Sequence, residues 1–235
     1  MGLNLSDPAF VGVVGSPPSM TEVFSENYDS TTGWTQSGGI TIDSVTYPDV
    51  CHFNAIPDNN WGNYAYKSMG ITVSDTEQKS EIFLGDLSAS GDGTNPYVFQ
   101  LSDGTNTTIT SANQDMIGFQ VQMYDNTPPK DWRIVIIAKE GSNSLTRSTG
   151  TIQVTDAPSG KGDYYLSLHR TSSTNVDLHI YEGTWGGTEI TGSPISHTIS
   201  SAIGSLSNVL HCGGGDGGAG GGTNLDFDNL TVYEP

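Results

Sequence analysis

The chain has 235 residues, 34% of them apolar, and a formal net charge of −18 from eight Lys+Arg against twenty-six Asp+Glu. That balance excludes nucleic acid and anionic membrane as partners, since both need clustered Lys and Arg, and it favours solubility and cation binding. Thirty glycines, with many Ser, Thr, Asn and Asp, exceed what helices tolerate and suit short strands joined by turns; the length fits one β-sandwich.

Residues 1–20 read as an extended N-terminal arm or linker ending in Gly15-Ser-Pro-Pro-Ser19, and residues 21–235 as the sandwich itself. The arm lacks the basic n-region and sustained apolar core of a secretory signal, and no later stretch is apolar enough to span a bilayer. An initiating Met without a signal fits an extracellular protein in mature form or one at a virion surface after host lysis. Leu3, Leu5, Phe10, Val11, Val13 and Val14 make the arm apolar for a free tail. It docks on a neighbouring subunit, giving a homo-oligomer, or packs along its own sandwich.

Strand-like runs follow at 39–45, 50–54, 64–72, 79–84, 97–102, 117–124, 132–139 and 150–154, then at 164–170, 176–182, 195–199, 206–212 and 225–233. Turn signals such as Asp92-Gly93, Asp103-Gly104, Glu140-Gly141 and Gly186-Gly187 separate them. No helical periodicity exceeds two turns, so the chain is all-β. In the last run Asp228 has the parity of Leu230 and Val232, which puts a carboxylate on the apolar face of a strand. An ionised group there needs a partner. Cys51-His52 and His211-Cys212 are mirror-ordered, and an antiparallel pair in that register sets Cys51 opposite Cys212, as a disulfide or as buried thiols. Two unpaired small apolar residues are the other reading. Residues 213–222, nearly all glycine, cannot build a core.

The pair Asp163-Tyr-Tyr-Leu-Ser-Leu-His-Arg170 and Asn175-Val-Asp-Leu-His-Ile-Tyr-Glu182 resembles the central strands of concanavalin A-like sandwiches. Val50-Cys-His-Phe-Asn54 with Tyr64-Ala-Tyr-Lys67, and the closing Asp228-Asn with its alternating apolar residues, are similar to segments of laminin G-like domains. The resemblance implies a two-sheet antiparallel jelly roll over residues 21–235. That fold hosts lectins, hydrolases, lyases and structural proteins alike, so it does not by itself name an activity. It also implies a structural Ca²⁺ tying the first strand to the last, with Glu26, Asn27 or Asp29 meeting Asp226 or Asp228. The alternative is that Asp228 is held by backbone N–H groups and Asn229 in a bulge. Hard oxygen donors suit calcium, whereas five scattered histidines do not suit zinc.

Catalysis is disfavoured. Glycosidases need two placed carboxylates, and hydrolases of this fold carry them at alternating positions of one strand. The nearest match, Asp75-Thr-Glu-Gln-Lys-Ser-Glu81, puts Glu77 in the turn before the strand. No Gln-x-His and no Gly-x-Ser-x-Gly is present. Glycan binding is better supported, because an aromatic face packs on a pyranose while Asn, Asp and Gly fix its hydroxyls. Pro57-Asp-Asn-Asn-Trp-Gly-Asn63 has that composition, offering Asn59, Asn60, Trp61 and Asn63, and Trp185 sits at a hairpin tip. Trp34 reads as a core cap and Trp132 is ambiguous. The sequence therefore gives a non-catalytic adhesion or structural protein that binds glycans and self-assembles, with a polysaccharide hydrolase or lyase as the alternative.

Overall fold

A computed structural model describes residues 19–42, 49–53, 62–89, 96–110, 113–125, 131–155, 164–213 and 223–235. The strands defined among them are β1 (Thr21–Glu26), β2 (Thr35–Ser37), β3 (Ile40–Ile42), β4 (Cys51–Phe53), β5 (Asn63–Val73) and β6 (Gln78–Ala89). Next come β7 (Pro96–Ser102), β8 (Met116–Asp125), β9 (Asp131–Lys139), β10 (Thr146–Arg147), β11 (Ile152–Thr155) and β12 (Tyr164–Ser172). The chain closes with β13 (Asn175–Glu182), β14 (Thr188–Glu189), β15 (Ile195–Thr198), β16 (Leu206–Gly213) and β17 (Thr223–Glu234). All thirteen runs expected from sequence contain a strand. The four unexpected strands are β1, β2, β10 and β14. Of these β2, β10 and β14 carry no apolar residue, so backbone pairing alone makes them strands and no period-two signal announces them.

Every pairing is antiparallel. One sheet runs β14-β13-β12-β6-β17-β4-β3, with β1 beside β17 and β15 beside β13; the other runs β10-β9-β8-β7-β16-β5-β2, with β11 on β9. The two sheets close over one apolar layer, as alternation dictates: Val176, Leu178 and Ile180 of β13 are buried while Asp177, His179 and Tyr181 between them are half-buried. Each fully buried aliphatic of this kind contributes about 1.5–3 kcal/mol. At the centre of the layer His211 sits among Tyr28, Trp34, Phe53, Phe99 and Phe227, with ring centroids 5.1–6.4 Å away. It shares a 2.9 Å hydrogen bond with the Tyr28 hydroxyl. Burial pushes the imidazole pKa down to about 3 and the Tyr28 phenol well up, so both stay neutral.

Two polar knots hold the loops. The buried Arg170 guanidinium donates to the carbonyls of Ile203 (2.8 Å), Gly204 (3.2 Å), Ser173 (3.3 Å) and Ser172 (3.4 Å). Asp115 accepts the Gly141 and Gly204 amides, each at 2.8 Å, and so joins the β9–β10 and β15–β16 connections to the start of β8.

The structure corrects two expectations. Asp228 does not share a face with Leu230 and Val232. Asn229 adopts φ 50° and the β17–β6 register shifts between Asp228 and Thr231, so a β-bulge reverses the parity. Leu225 and Phe227 point inward before it, Leu230 and Val232 after it, and Asp228 lies outside with Asp226. Nor do Cys51 and Cys212 face each other. β4 lies between β3 and β17 in one sheet, while β16 lies between β5 and β7 in the other, where His211 pairs with Ala65. Both thiols are free and buried, Cys51 in the main core and Cys212 in a smaller cluster with Val98, Ile109, Met116 and Ile137.

Candidate functional site

The outer faces of the two sheets differ. On the eight-stranded sheet, Val98, Leu210, Cys212 and Ile137 have no exposed surface. Ile109, from the β7–β8 connection, packs into that cluster, and Lys139 donates to the Ile109 and Thr110 carbonyls at 3.3 and 3.2 Å. The loop covers that part of the face, while Tyr64 and Tyr66, stacked at 5.9 Å, and Arg133 are half-buried.

The outer face of the nine-stranded sheet is half-exposed and polar, with an aromatic row across it. Strand registers set Glu189 beside Tyr181, Tyr181 beside Tyr165, Tyr165 beside Phe83 and Phe83 beside Asp228. At about 4.8 Å per strand, the three rings span roughly 10 Å, the scale of two linked sugar rings. Phe83 and Tyr165 meet edge to face at 5.3 Å. Phe83 lies over Gly85, where a Cβ would stand 2.7 Å from the ring. Trp185 packs edge-on against Tyr165 at 5.0 Å from the tip of the β13–β14 hairpin. Gly183 and Gly186, at φ 80° and 66°, make that tip possible. Trp185 remains 37% exposed, the one large apolar side chain so exposed among the described residues.

Carboxylates flank the row. Glu189 accepts from His179 and from the Tyr181 phenol, whose pKa is raised by burial first and then by the Glu189 charge. Glu81 takes Lys79 at 2.8 Å, and Lys79 also lies 4.6 Å over the Tyr233 ring. The Tyr233 phenol is raised by burial and then by Glu81. Beyond the hairpin a cleft of about 410 Å³ is lined by Gln153, Tyr164, Glu182, Thr188 and Glu189 among others.

The residues expected from sequence fare differently. Trp61, Asn59 and Asn60 lie outside the described residues. Asn63 is buried and accepts the Gly39 amide at 2.7 Å, so it braces the β2–β3 turn. Trp34 and Trp132 are core residues. Trp185 is exposed and sits in the aromatic row. Tyr165, Phe83 and Tyr181 were missed, because the register that aligns them joins strands far apart in sequence.

The calcium ligands expected between the first and last strands are each engaged elsewhere. Glu26 accepts from Lys67 and, at 3.0 Å, from the Tyr28 amide. Asp29 takes Asn27, and Asp226 takes His52 at 2.5 Å. Asp228 accepts both the amide and side-chain nitrogen of Asn229 at 2.6 Å. Burial, with the Asp49 and Asp226 charges, raises Asp228 to about 6 against the lowering effect of that amide. No group of three or more His, Cys, Asp or Glu side chains able to hold a metal exists among the described residues. Among the described residues no helix is long and apolar enough to cross a membrane.

No family model matches the chain, and no curated protein matches its sequence. Solved structures do match its shape. A legume lectin-like domain from Entamoeba histolytica superposes with TM-score 0.57 at 12% identity, over 92% of this chain and 99% of that one. The VIP36 exoplasmic/lumenal domain, in a Ca²⁺/Man3GlcNAc-bound form, gives 0.55 at 10% identity, over 92% and 90%. A GH16 protein of Bacteroides ovatus, in complex with its product, gives 0.53 at 12% identity, over 89% and 99%. With its two antiparallel sheets and these likenesses, the chain has the jelly-roll fold of the concanavalin A-like lectin/glucanase superfamily.

Proposed function

We propose that the protein is a non-catalytic carbohydrate-binding protein with an adhesion or structural role at an outer surface such as that of a virion. Trp185 carries this reading. It is an exposed indole set against Tyr165, the middle ring of an aromatic row on a half-exposed sheet face. Aromatic faces pack on the apolar face of a pyranose, and the phenols and carboxylates beside them can bond its hydroxyls. Lectin-like neighbours of the same fold, one of them bound to Man3GlcNAc, support it.

The acids nearest to a glycosidase pattern are both engaged: Glu77 stands before β6 and faces His169 at 3.5 Å, and Glu81 holds Lys79. The hydrolase alternative keeps one observation, the cleft that Glu182 and Glu189 share. Self-assembly through the N-terminal arm remains a proposal from sequence, since residues 1–18 lie outside the described part.

Glycan-array binding of wild type and Trp185→Ala tests the reading. The exposed side chain can be removed without unfolding the protein, so array signal should fall with an unchanged melting curve. Equal binding by the variant, or release of reducing ends from a bound polysaccharide, refutes it.

A further inference from the structure

We infer that the aromatic row takes an amine-bearing, cationic glycan and rejects uronate or sulphate polymers; this rests on the carbohydrate-binding reading above. The row ends on a carboxylate at each side, Glu189 beside Tyr181 and Asp228 beside Phe83. Glu81 stands one row away, between Ser167 and Thr231. Among the described residues the lysine on these rows, Lys79, is pinned between Glu81 and the Tyr233 ring. The nearest histidine, His179, is turned to Glu189. A sulphate or uronate laid along the rings therefore meets a carboxylate at each end, that of Glu189 shared with His179, on a chain that carries −18 overall. A sugar ammonium meets carboxylates at both ends, and ring faces that attract cations between them. Charge complementarity thus selects the substituent, while the rings hold the pyranose.

The test uses the full chain at neutral pH and titration calorimetry with three probes of equal length. One is a β-linked glucosamine oligomer trimethylated at nitrogen, so that it stays cationic. The second is its N-acetylated, neutral counterpart, and the third an oligogalacturonate. The cationic oligomer should bind most tightly, roughly three- to ten-fold better than the neutral one at low salt, with the advantage lost at high salt. The oligogalacturonate should not bind. Glu189→Gln, which keeps the side-chain shape, should lower the ratio of cationic to neutral affinity.

Neutral and cationic probes bound equally, with no salt dependence, overturn the charge selection and leave carbohydrate binding standing. Oligogalacturonate binding as well as the cationic probe also overturns it. If no probe binds, or if Trp185→Ala binds all of them as wild type does, the carbohydrate site itself is wrong.

Discussion

Asp228 should destabilise the folded protein at neutral pH, and Asp228→Asn should relieve that cost. Its carboxyl is raised from 3.8 to about 6 on the half-buried outer face, beside Asp49 and Asp226, with no cation against it among the bonds it makes. A shift of about 2 units corresponds to about 3 kcal/mol. Solvent screening at a half-exposed site reduces this to about 1–2 kcal/mol. An acid raised on folding binds more protons in the native state than in the unfolded one between the two pKa values. Its contribution to stability therefore falls as pH rises from about 4 to about 6, and stays low above that. Asparagine can still accept the Asn229 amide but carries no charge. The variant should exceed wild type by about 1–2 kcal/mol at about pH 8, or about 2–4 °C in Tm per kcal/mol for a chain of this size, and match it below about pH 4. The assay is urea and thermal unfolding of both proteins across that range, with chelator present. Equal stability at the high end, or an advantage that persists at the low end, refutes the argument.

Further outcomes follow from single contacts. Arg170→Met leaves four carbonyls without their donor and should cost about 3–5 kcal/mol in urea unfolding; a loss under about 1 kcal/mol would show the knot to be dispensable. Gly118→Ala puts a Cβ 2.1 Å from the Phe99 carbonyl oxygen and 2.7 Å from Gln100 Cα. Backbone must move, so the cost should be about 3 kcal/mol, and a variant within about 0.5 kcal/mol of wild type would contradict the close approach. Because Glu26 is tied to Lys67 and the other expected ligands are engaged, chelator and added calcium should give the same Tm; a rise with calcium shows a metal site.

Much of the fold was legible because strands such as β13 keep a period-two alternation of buried apolar and half-buried polar residues. It failed where local geometry breaks the period. One residue at φ 50°, Asn229, moves Asp228 from the inner face that parity assigns to the outer one, as the alternative reading of a bulge held by Asn229 had it. The mirrored Cys-His pairs failed for a different reason. Two residues of pattern cannot choose among the partners that topology offers, and β4 and β16 belong to different sheets. The candidate site shows the same limit more sharply. Phe83, Tyr165, Tyr181 and Asp228 lie on four strands, and only hydrogen-bonded register sets them in one row. Trp185 could be picked out alone, because an indole between glycines at a hairpin tip has no core to enter. A binding surface on a sheet runs perpendicular to the chain, so the sequence shows its residues one at a time and the sheet order makes them a site. A site grown this way can change its ligand through the residues that end the row, such as Glu189 and Asp228, while the rings and the strands beneath them stay in place.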